Sequence, residues 1–251
     1  MKDIIKERIL VLDGALGTMI QQYGLTEADF RGEEFKNHPV KLEGNNDILV
    51  LTRPDIISNI HRQYLEAGAD IIETCTFNSQ AISQTEYQTT DFVYRINLEA
   101  ARLARQEADR MTALTPDKPR FVAGSVGPTA KMTSMSPDVE NPALRAVDYD
   151  TLCKAYVEQM EALMEGGVDA LLIETIFDTL NAKAALCAAR EVFQTIGRKV
   201  PVMLSVTVAD AGGRLLSGQT LEAFLTSVAH EEIFSVGLNC SFGARQMKPF
   251  L

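Results

Sequence analysis

The stretch that decides the fold is Ile9-Leu10-Val11-Leu12-Asp13-Gly14-Ala15-Leu16-Gly17-Thr18. Four apolar residues end in an aspartate, and two glycines bracket the turn that follows, which is typical of a buried parallel strand and its exit. Such a strand end places a carboxylate beside free backbone N–H groups. Asp13 could then hold the ammonium of an amino acid, while N–H groups of Gly14 and Ala15 hold its carboxylate. The alternative is that Asp13 only caps a strand-to-helix turn.

The rest of the chain repeats this strand-and-helix pattern. Further strands are predicted at residues 69–77, 121–129, 168–173, 202–208 and 233–238. Helices are predicted from Pro54 to Gly68 and at residues 91–111, 149–165, 180–196 and 221–230, and residues 27–46 are predicted to be a long loop. Alternating units of this kind specify parallel strands with right-handed crossovers.

Polar residues stand where the predicted strands end, namely Asp13, Glu73, Ser125, Glu174 and Cys240. A (βα)8 barrel gathers all of its strand ends into one mouth, where barrel active sites lie. An open doubly wound sheet is the alternative, but no strand is followed by G-x-G-x-x-G or a P-loop. The sequence therefore favours an α/β barrel of the TIM type. Six units use the whole length, so residues 1–251 are expected to form one barrel domain that is truncated after about six βα units and incomplete at its C-terminal side.

Composition and charge argue against several classes of partner and cellular setting. A net charge of −10 and a pI near 4.9 argue against nucleic acid or an anionic membrane as partner. No apolar run reaches the roughly 18 residues that would span a bilayer. Four widely spaced cysteines do not suggest a disulfide framework, and they favour a reduced, cytoplasmic setting.

Three of the strand-end residues are the main candidates for chemistry. Glu174 ends an apolar strand and, with Asp13, would make a two-carboxylate clamp for an ammonium group, to which Ser125 could add a hydroxyl. Glu174 could instead belong to a supporting hydrogen-bond network. Cys240 could be a nucleophile, a metal ligand or inert, and no histidine is placed by motif to activate it.

The remaining cysteines are weaker candidates. Cys153 and Cys187 lie within helical patterns, where small buried apolar side chains are the better interpretation. Cys75 lies at a strand end. Two other classes remain open: a Schiff-base aldolase, which lacks the required lysine at a strand end, and a non-catalytic amino-acid-binding module.

Together these motifs resemble the homocysteine S-methyltransferase family. The segments that carry the resemblance are Asp13–Thr18, Glu73-Thr74 with Thr76-Phe77, Gly124–Pro128, Ile173–Thr175 and Gly237–Cys240. Gly44–Asp47, Ser136–Val139 and Ile176–Lys183 further resemble the N-terminal, homocysteine-binding module of the cobalamin-dependent methionine synthases. The resemblance runs through nearly the whole chain.

The resemblance implies a (βα)8 barrel with one zinc ion held by three cysteines. Cys240 matches the first, in a Gly-x-Asn-Cys motif, whereas the adjacent pair of a Gly-Gly-Cys-Cys motif has no counterpart here. Cys75 stands where relatives commonly carry asparagine, and we do not assign it as a ligand. We therefore expect this chain alone to hold no catalytic zinc and to be inactive by itself.

The implied reaction moves a methyl group from methylcobalamin, ultimately from 5-methyltetrahydrofolate, to the homocysteine thiolate and forms methionine. The implied partners are L-homocysteine and the cobalamin- and folate-binding modules of the same full-length chain. The implied substrate-binding residues are Asp13, Gly14, Ala15, Ser125 and Glu174, with Cys240 acting through zinc. The alternatives are a homocysteine methyltransferase with another methyl donor and an inactive amino-acid-binding fragment.

Overall fold

A computed structural model describes residues 1–250 and contains one five-stranded sheet. Its strands are β1 (Ile71–Glu73), β2 (Phe121–Val126), β3 (Ala170–Ile176), β4 (Val202–Val206) and β5 (Ser235–Leu238). Each strand pairs in parallel with the next one along the chain, so the order in the sheet is the order in the sequence. A doubly wound sheet reverses its order at a switch point, and this sheet does not. The predicted α/β class is confirmed, and the sheet is consistent with part of a TIM-type barrel.

Ten α-helices accompany the strands within residues 1–250. They are α1 (Leu16–Gln21), α2 (Glu27–Arg31), α3 (Leu49–Thr52), α4 (Pro54–Ala67), α5 (Ala81–Gln84), α6 (Val93–Leu114), α7 (Tyr149–Glu165), α8 (Thr179–Ile196), α9 (Leu221–Val228) and α10 (Ala244–Met247). The helices α6, α7, α8 and α9 each connect two consecutive strands, as the alternating pattern predicts. None of the helices is both long and apolar enough to cross a membrane.

Local sequence signals explain where the long helices begin and end. Pro54 occupies the first turn of α4, and Gly68 ends that helix with a left-handed φ of 113°. Asp148 and Asp178 cap α7 and α8, because their carboxylates accept hydrogen bonds from backbone N–H groups of the first turn.

The first predicted strand is shorter than expected. Residues 9–12 contribute a single parallel bridge, between Leu12 and Ile71. Ile9 and Val11 are 85% and 53% exposed, whereas Leu10 and Leu12 pack inward against Ile71. The segment therefore alternates like a strand, but it pairs with β1 through only a few residues.

The prediction of a loop over residues 27–46 is wrong in part, because α2 lies within it. The Asp29 carboxylate accepts the Thr26 N–H at 2.9 Å, which closes the first turn. Arg31 donates to Glu27 at 2.6 Å and to the carbonyls of His38 and Val40. Charged side chains thus satisfy the backbone of this short segment. Its apolar positions are too few to give a helical period.

Two apolar layers flank the sheet. The larger one lies between the strands and the helices α6 to α9. The smaller one lies on the opposite face, where Ile71, Ala123 and Leu172 meet Leu10 and Leu12. Successive strand residues thus point alternately toward the helices and toward the inner face. The polar residues that end the strands are left at one edge.

Candidate functional site

A cleft of about 470 Å³ opens at the carboxyl ends of the strands. All five polar residues predicted from strand ends line it: Asp13, Glu73, Ser125, Glu174 and Cys240. Gly14, Ala15, Asp47, Thr175 and Asn239 line it as well. Its size suits a small ligand such as an amino acid.

Asp13 lies directly after the Leu12 bridge and has one oxygen free for a ligand. Its Oδ2 accepts the Glu73 N–H at 2.9 Å. Its Oδ1 is buried and has no hydrogen-bond partner among the described residues. Burial raises the pKa of Asp13 to about 7, and the negative charge of Glu174 adds to the increase. The carboxylate is therefore suited to a cationic N–H donor.

Glu174 and Ser125 meet across β3 and β2. Ser125 Oγ donates to Glu174 Oε1 at 2.5 Å. This bond favours the ionised carboxylate, but burial raises the pKa of Glu174 above its ordinary value. The hydroxyl that Ser125 was expected to add to the ammonium clamp is donated to Glu174 in the structure.

Two further acids complete a group of four in the cleft. Burial and the charges of Glu174 and Asp13 raise the pKa of Glu73 well above its ordinary range. Burial raises the pKa of Asp47 to about 7, although its Oδ2 accepts the Asn78 N–H at 2.7 Å. Four neighbouring acids repel one another when ionised, so the cleft favours a cation.

Sequence reasoning assigned no role to Glu73 or Asp47. Glu73 carried the same strand-end signal as Asp13. Asp47 lies in a short 3-10 helix, Asn46–Ile48, and no strand leads into it. The one sequence feature that pointed to Asp47 was its place in the Gly44–Asp47 motif.

Gly14 and Ala15 form an exposed turn with free donors. In the part of the chain that the structure describes, neither backbone N–H has a hydrogen-bond acceptor. The Tyr64 hydroxyl donates to the Ala15 carbonyl at 3.3 Å. A Cβ on residue 14 would lie 3.0 Å from that hydroxyl oxygen, so the close approach of Tyr64 favours glycine there.

Cys240 lies exposed at the end of β5, and Asn239 holds it in place. The Asn239 amide donates to Cys240 Sγ at 3.3 Å and to Thr175 Oγ1 at 2.8 Å. Its carbonyl oxygen accepts from Ser205 Oγ at 2.8 Å. Asn239 therefore ties together the ends of β3, β4 and β5.

The backbone is strained at two residues that contact the Asn239 side chain. Thr175 and Cys240 have φ values of 54° and 61°, a left-handed conformation uncommon outside glycine. Such conformations persist where surrounding contacts hold them, and they cluster at functional sites. The Asn239 contacts supply that support.

The cysteines of the cleft do not form a metal centre among the described residues. Within residues 1–250, no group of three or more His, Cys, Asp or Glu side chains is placed to hold a metal ion. Cys75 lines the cleft, but its thiol donates to the Asn46 carbonyl at 3.5 Å, and burial raises its pKa well above the ordinary value. Cys240 is thus a single thiol, and a three-cysteine zinc site does not fit the residues present.

Comparison with known proteins shows the family and the fold of the chain. The model of the homocysteine S-methyltransferase family matches residues 10–251. The metallated form of the homocysteine methyltransferase MmuM from Escherichia coli superposes with a TM-score of 0.74 at 21% identity, over 95% of this chain and 77% of that one. Its oxidised form gives a TM-score of 0.71 at 22% identity, over 92% and 73%. These structures share the fold, and the family match over nearly the full length shows that the chain belongs to the homocysteine S-methyltransferase family.

Proposed function

We propose that the cleft binds L-homocysteine so that its sulfur can be methylated to give methionine. The observation that carries the proposal is the arrangement of the turn after Leu12. Asp13 has one carboxylate oxygen, Oδ1, without a partner among the described residues. It is followed directly by Gly14 and Ala15, whose N–H groups have no acceptor among those residues. A carboxylate next to open N–H donors matches the ammonium and carboxylate of one α-amino acid.

Asp13 and Glu174 are the proposed ligands of the ammonium. Both line the cleft, and Asp13 has an oxygen without a hydrogen-bond partner. An ammonium would replace the repulsion between the acids with charge-assisted hydrogen bonds, each worth about 1.5–3 kcal/mol. Ser125 has a supporting role, because its hydroxyl orients Glu174.

Gly14 and Ala15 are the proposed ligands of the amino-acid carboxylate. Both residues are exposed and line the cleft. The Tyr64 hydroxyl holds their turn by donating a hydrogen bond to the Ala15 carbonyl. With both charged ends held, the side chain of the ligand extends into the remaining cleft, where Cys240 lies exposed.

Cys240 is proposed as one thiolate ligand toward zinc. A free thiol has a pKa of about 8.5, so little homocysteine is ionised at neutral pH. Zinc, when bound, would supply the charge that deprotonates the substrate sulfur. The described residues offer one thiol, Cys240, toward that metal. The contribution of Asn239 is to orient the Cys240 sulfur.

Methylcobalamin is the proposed methyl donor, and zinc and cobalamin are the proposed cofactors. The support is the resemblance of Gly44–Asp47, Ser136–Val139 and Ile176–Lys183 to the cobalamin-dependent methionine synthases. The proposed partners are accordingly cobalamin- and folate-binding modules in the same full-length protein. A protein with a different methyl donor, or one that binds an amino acid without turnover, would hold its ligand in the same cleft.

Calorimetric titration with L-homocysteine tests the proposal. Asp13→Asn and Glu174→Gln should each weaken binding by roughly ten- to a hundredfold, since each removes a charge-assisted bond. Asp117→Asn is the matched control, because Asp117 is exposed and lies in the loop before β2, at the opposite edge of the sheet. Unchanged affinity in both cleft variants would contradict the clamp.

A further inference from the structure

Two cysteines outside the cleft, Cys153 and Cys187, lie on neighbouring helices that pack against each other, α7 and α8. The two helices run side by side in the same direction, because each connects consecutive parallel strands. At their start, the Tyr149 hydroxyl donates to the Lys183 carbonyl at 3.1 Å. Cys153 and Cys187 each follow those residues by four positions, or about one helical turn. The register therefore places the two cysteines at the same level of the α7–α8 interface, where both belong to the larger apolar layer.

The packing of α8 permits a close approach. Its buried residues are mainly alanines: Ala182, Ala184, Ala185, Ala188 and Ala189. Small side chains let neighbouring helices approach one another closely. A disulfide requires Cβ atoms about 3.5–4.5 Å apart, a distance that only closely packed helices reach.

The two thiols differ in environment. Cys187 is partly exposed, and the Arg190 guanidinium donates to its sulfur at 3.7 Å. Cys153 is only 8% exposed, and burial raises its pKa to about 12. Cys187 is therefore the thiol that an oxidant reaches first.

We propose that Cys153 and Cys187 form an oxidative modification site, which a hydroperoxide converts to a disulfide between α7 and α8. The Cys187 thiolate attacks one peroxide oxygen, which forms the sulfenic acid and releases the other oxygen as hydroxide or alkoxide, later protonated. The Cys153 sulfur then attacks the sulfenic sulfur. Its proton leaves with the hydroxyl as water, so two thiols and one peroxide give one disulfide and, for hydrogen peroxide, two waters.

This cross-link would join the helices on either side of β3, the strand that ends at Glu174. It would close a loop of about 35 residues and restrict the unfolded chain. The melting temperature should accordingly rise by roughly 5–10 °C. The inference does not depend on methyl transfer, because neither cysteine lines the cleft.

Peptide mapping after oxidation is the test, in a Cys240→Ala background that removes the exposed cleft thiol. The folded protein is treated with hydrogen peroxide, alkylated in denaturant and analysed by mass spectrometry. We expect a peptide pair joined through Cys153 and Cys187, with a loss of 2 Da that dithiothreitol reverses. The link should form equally in the matched control Cys75→Ala and should be absent in Cys187→Ser.

Two results would overturn the inference. One is over-oxidation of Cys187 while Cys153 remains free for alkylation, and the other is a link that forms only in denaturant. Phenylarsine oxide gives a readout that needs no further variant. Paired thiols should bind it one to one, resist excess monothiol and release it to a dithiol, whereas release by monothiol would show that the sulfurs are too far apart.

Discussion

The acids of the cleft hold protons that a cationic ligand would displace. Burial raises the pKa of Asp13 and of Asp47 to about 7. An ammonium stabilises the ionised carboxylates, so homocysteine binding should release protons near neutral pH and weaken as the pH falls below about 7. Calorimetry at pH 6.5 in two buffers of different ionisation enthalpy measures this release. The two apparent enthalpies should differ, and the difference should shrink in Asp13→Asn; equal enthalpies in the unmutated protein would contradict it.

Asn239 is the residue on which the reactivity of Cys240 depends. Asn239→Ala removes the N–H donor that orients the Cys240 sulfur, and it also removes the contact that holds Thr175. Alkylation of Cys240 at neutral pH, followed peptide by peptide, should slow severalfold. Asn141→Ala, in an exposed loop, is the control. An unchanged rate would show that the amide does not orient the sulfur.

The site residues differ in how far the sequence predicted them. Asp13, Ser125 and Glu174 could be placed because parallel strands end at one edge, which turns a position in the sequence into a position in space. Asp47 could not, since it reaches the cleft through a loop and a short helix. The contact between Asn239 and Cys240 depends on side-chain rotamers that no periodicity predicts.

At the scale of elements, the packing of α4 against α6 buries an ionisable group. His61 is fully buried on α4, neither ring nitrogen has a partner among the described residues, and burial lowers its pKa to about 4. The unfolded chain takes up this proton near pH 6.5, whereas the folded chain does so only near pH 4. The buried, neutral His61 therefore costs no stability above pH 6.5. Below that pH the free energy of unfolding decreases, and it continues to decrease until the pH reaches about 4.

The variant His61→Leu should remove that loss. Between pH 7 and pH 5 the unmutated protein should lose about 2 kcal/mol of unfolding free energy more than the variant does. Urea unfolding at the two pH values gives the comparison, and His230→Gln is the control because His230 is exposed. Cleft acids with raised pKa values act in the opposite direction, but they are common to all three proteins. Equal losses in variant and unmutated protein would mean that His61 is hydrated or paired.

The elements with strong terminal signals were predicted best. Pro54 and Gly68 mark the ends of α4, and Asp148 marks the start of α7. The short helix α2 was missed, because its stability comes from contacts of Arg31 and Glu27 with distant backbone groups. The first strand was predicted to be longer than it is. An apolar run does not show how many of its residues pair with a neighbouring strand.

At the scale of the whole molecule, the alternation of strands and helices was enough to predict the class and the edge at which the site lies. The strand order, which separates a barrel from a doubly wound sheet, follows from which strands pair. The sequence favoured the barrel through the polar residues at the strand ends and through the lack of a nucleotide-binding glycine motif. The observed consecutive order confirms that inference, and Asp13 before β1 and Cys240 after β5 line one cleft.

The most direct test of the central claim is a comparison of two ligands that differ only in the ammonium group. L-homocysteine and 4-sulfanylbutanoate share the thiol and the carboxylate, and only the first can bind Asp13 and Glu174. We expect L-homocysteine to bind at least tenfold more tightly than 4-sulfanylbutanoate by calorimetry. This difference in affinity should disappear in the Asp13→Asn/Glu174→Gln double variant. Equal binding of the two ligands, or an advantage that survives in the double variant, would contradict it.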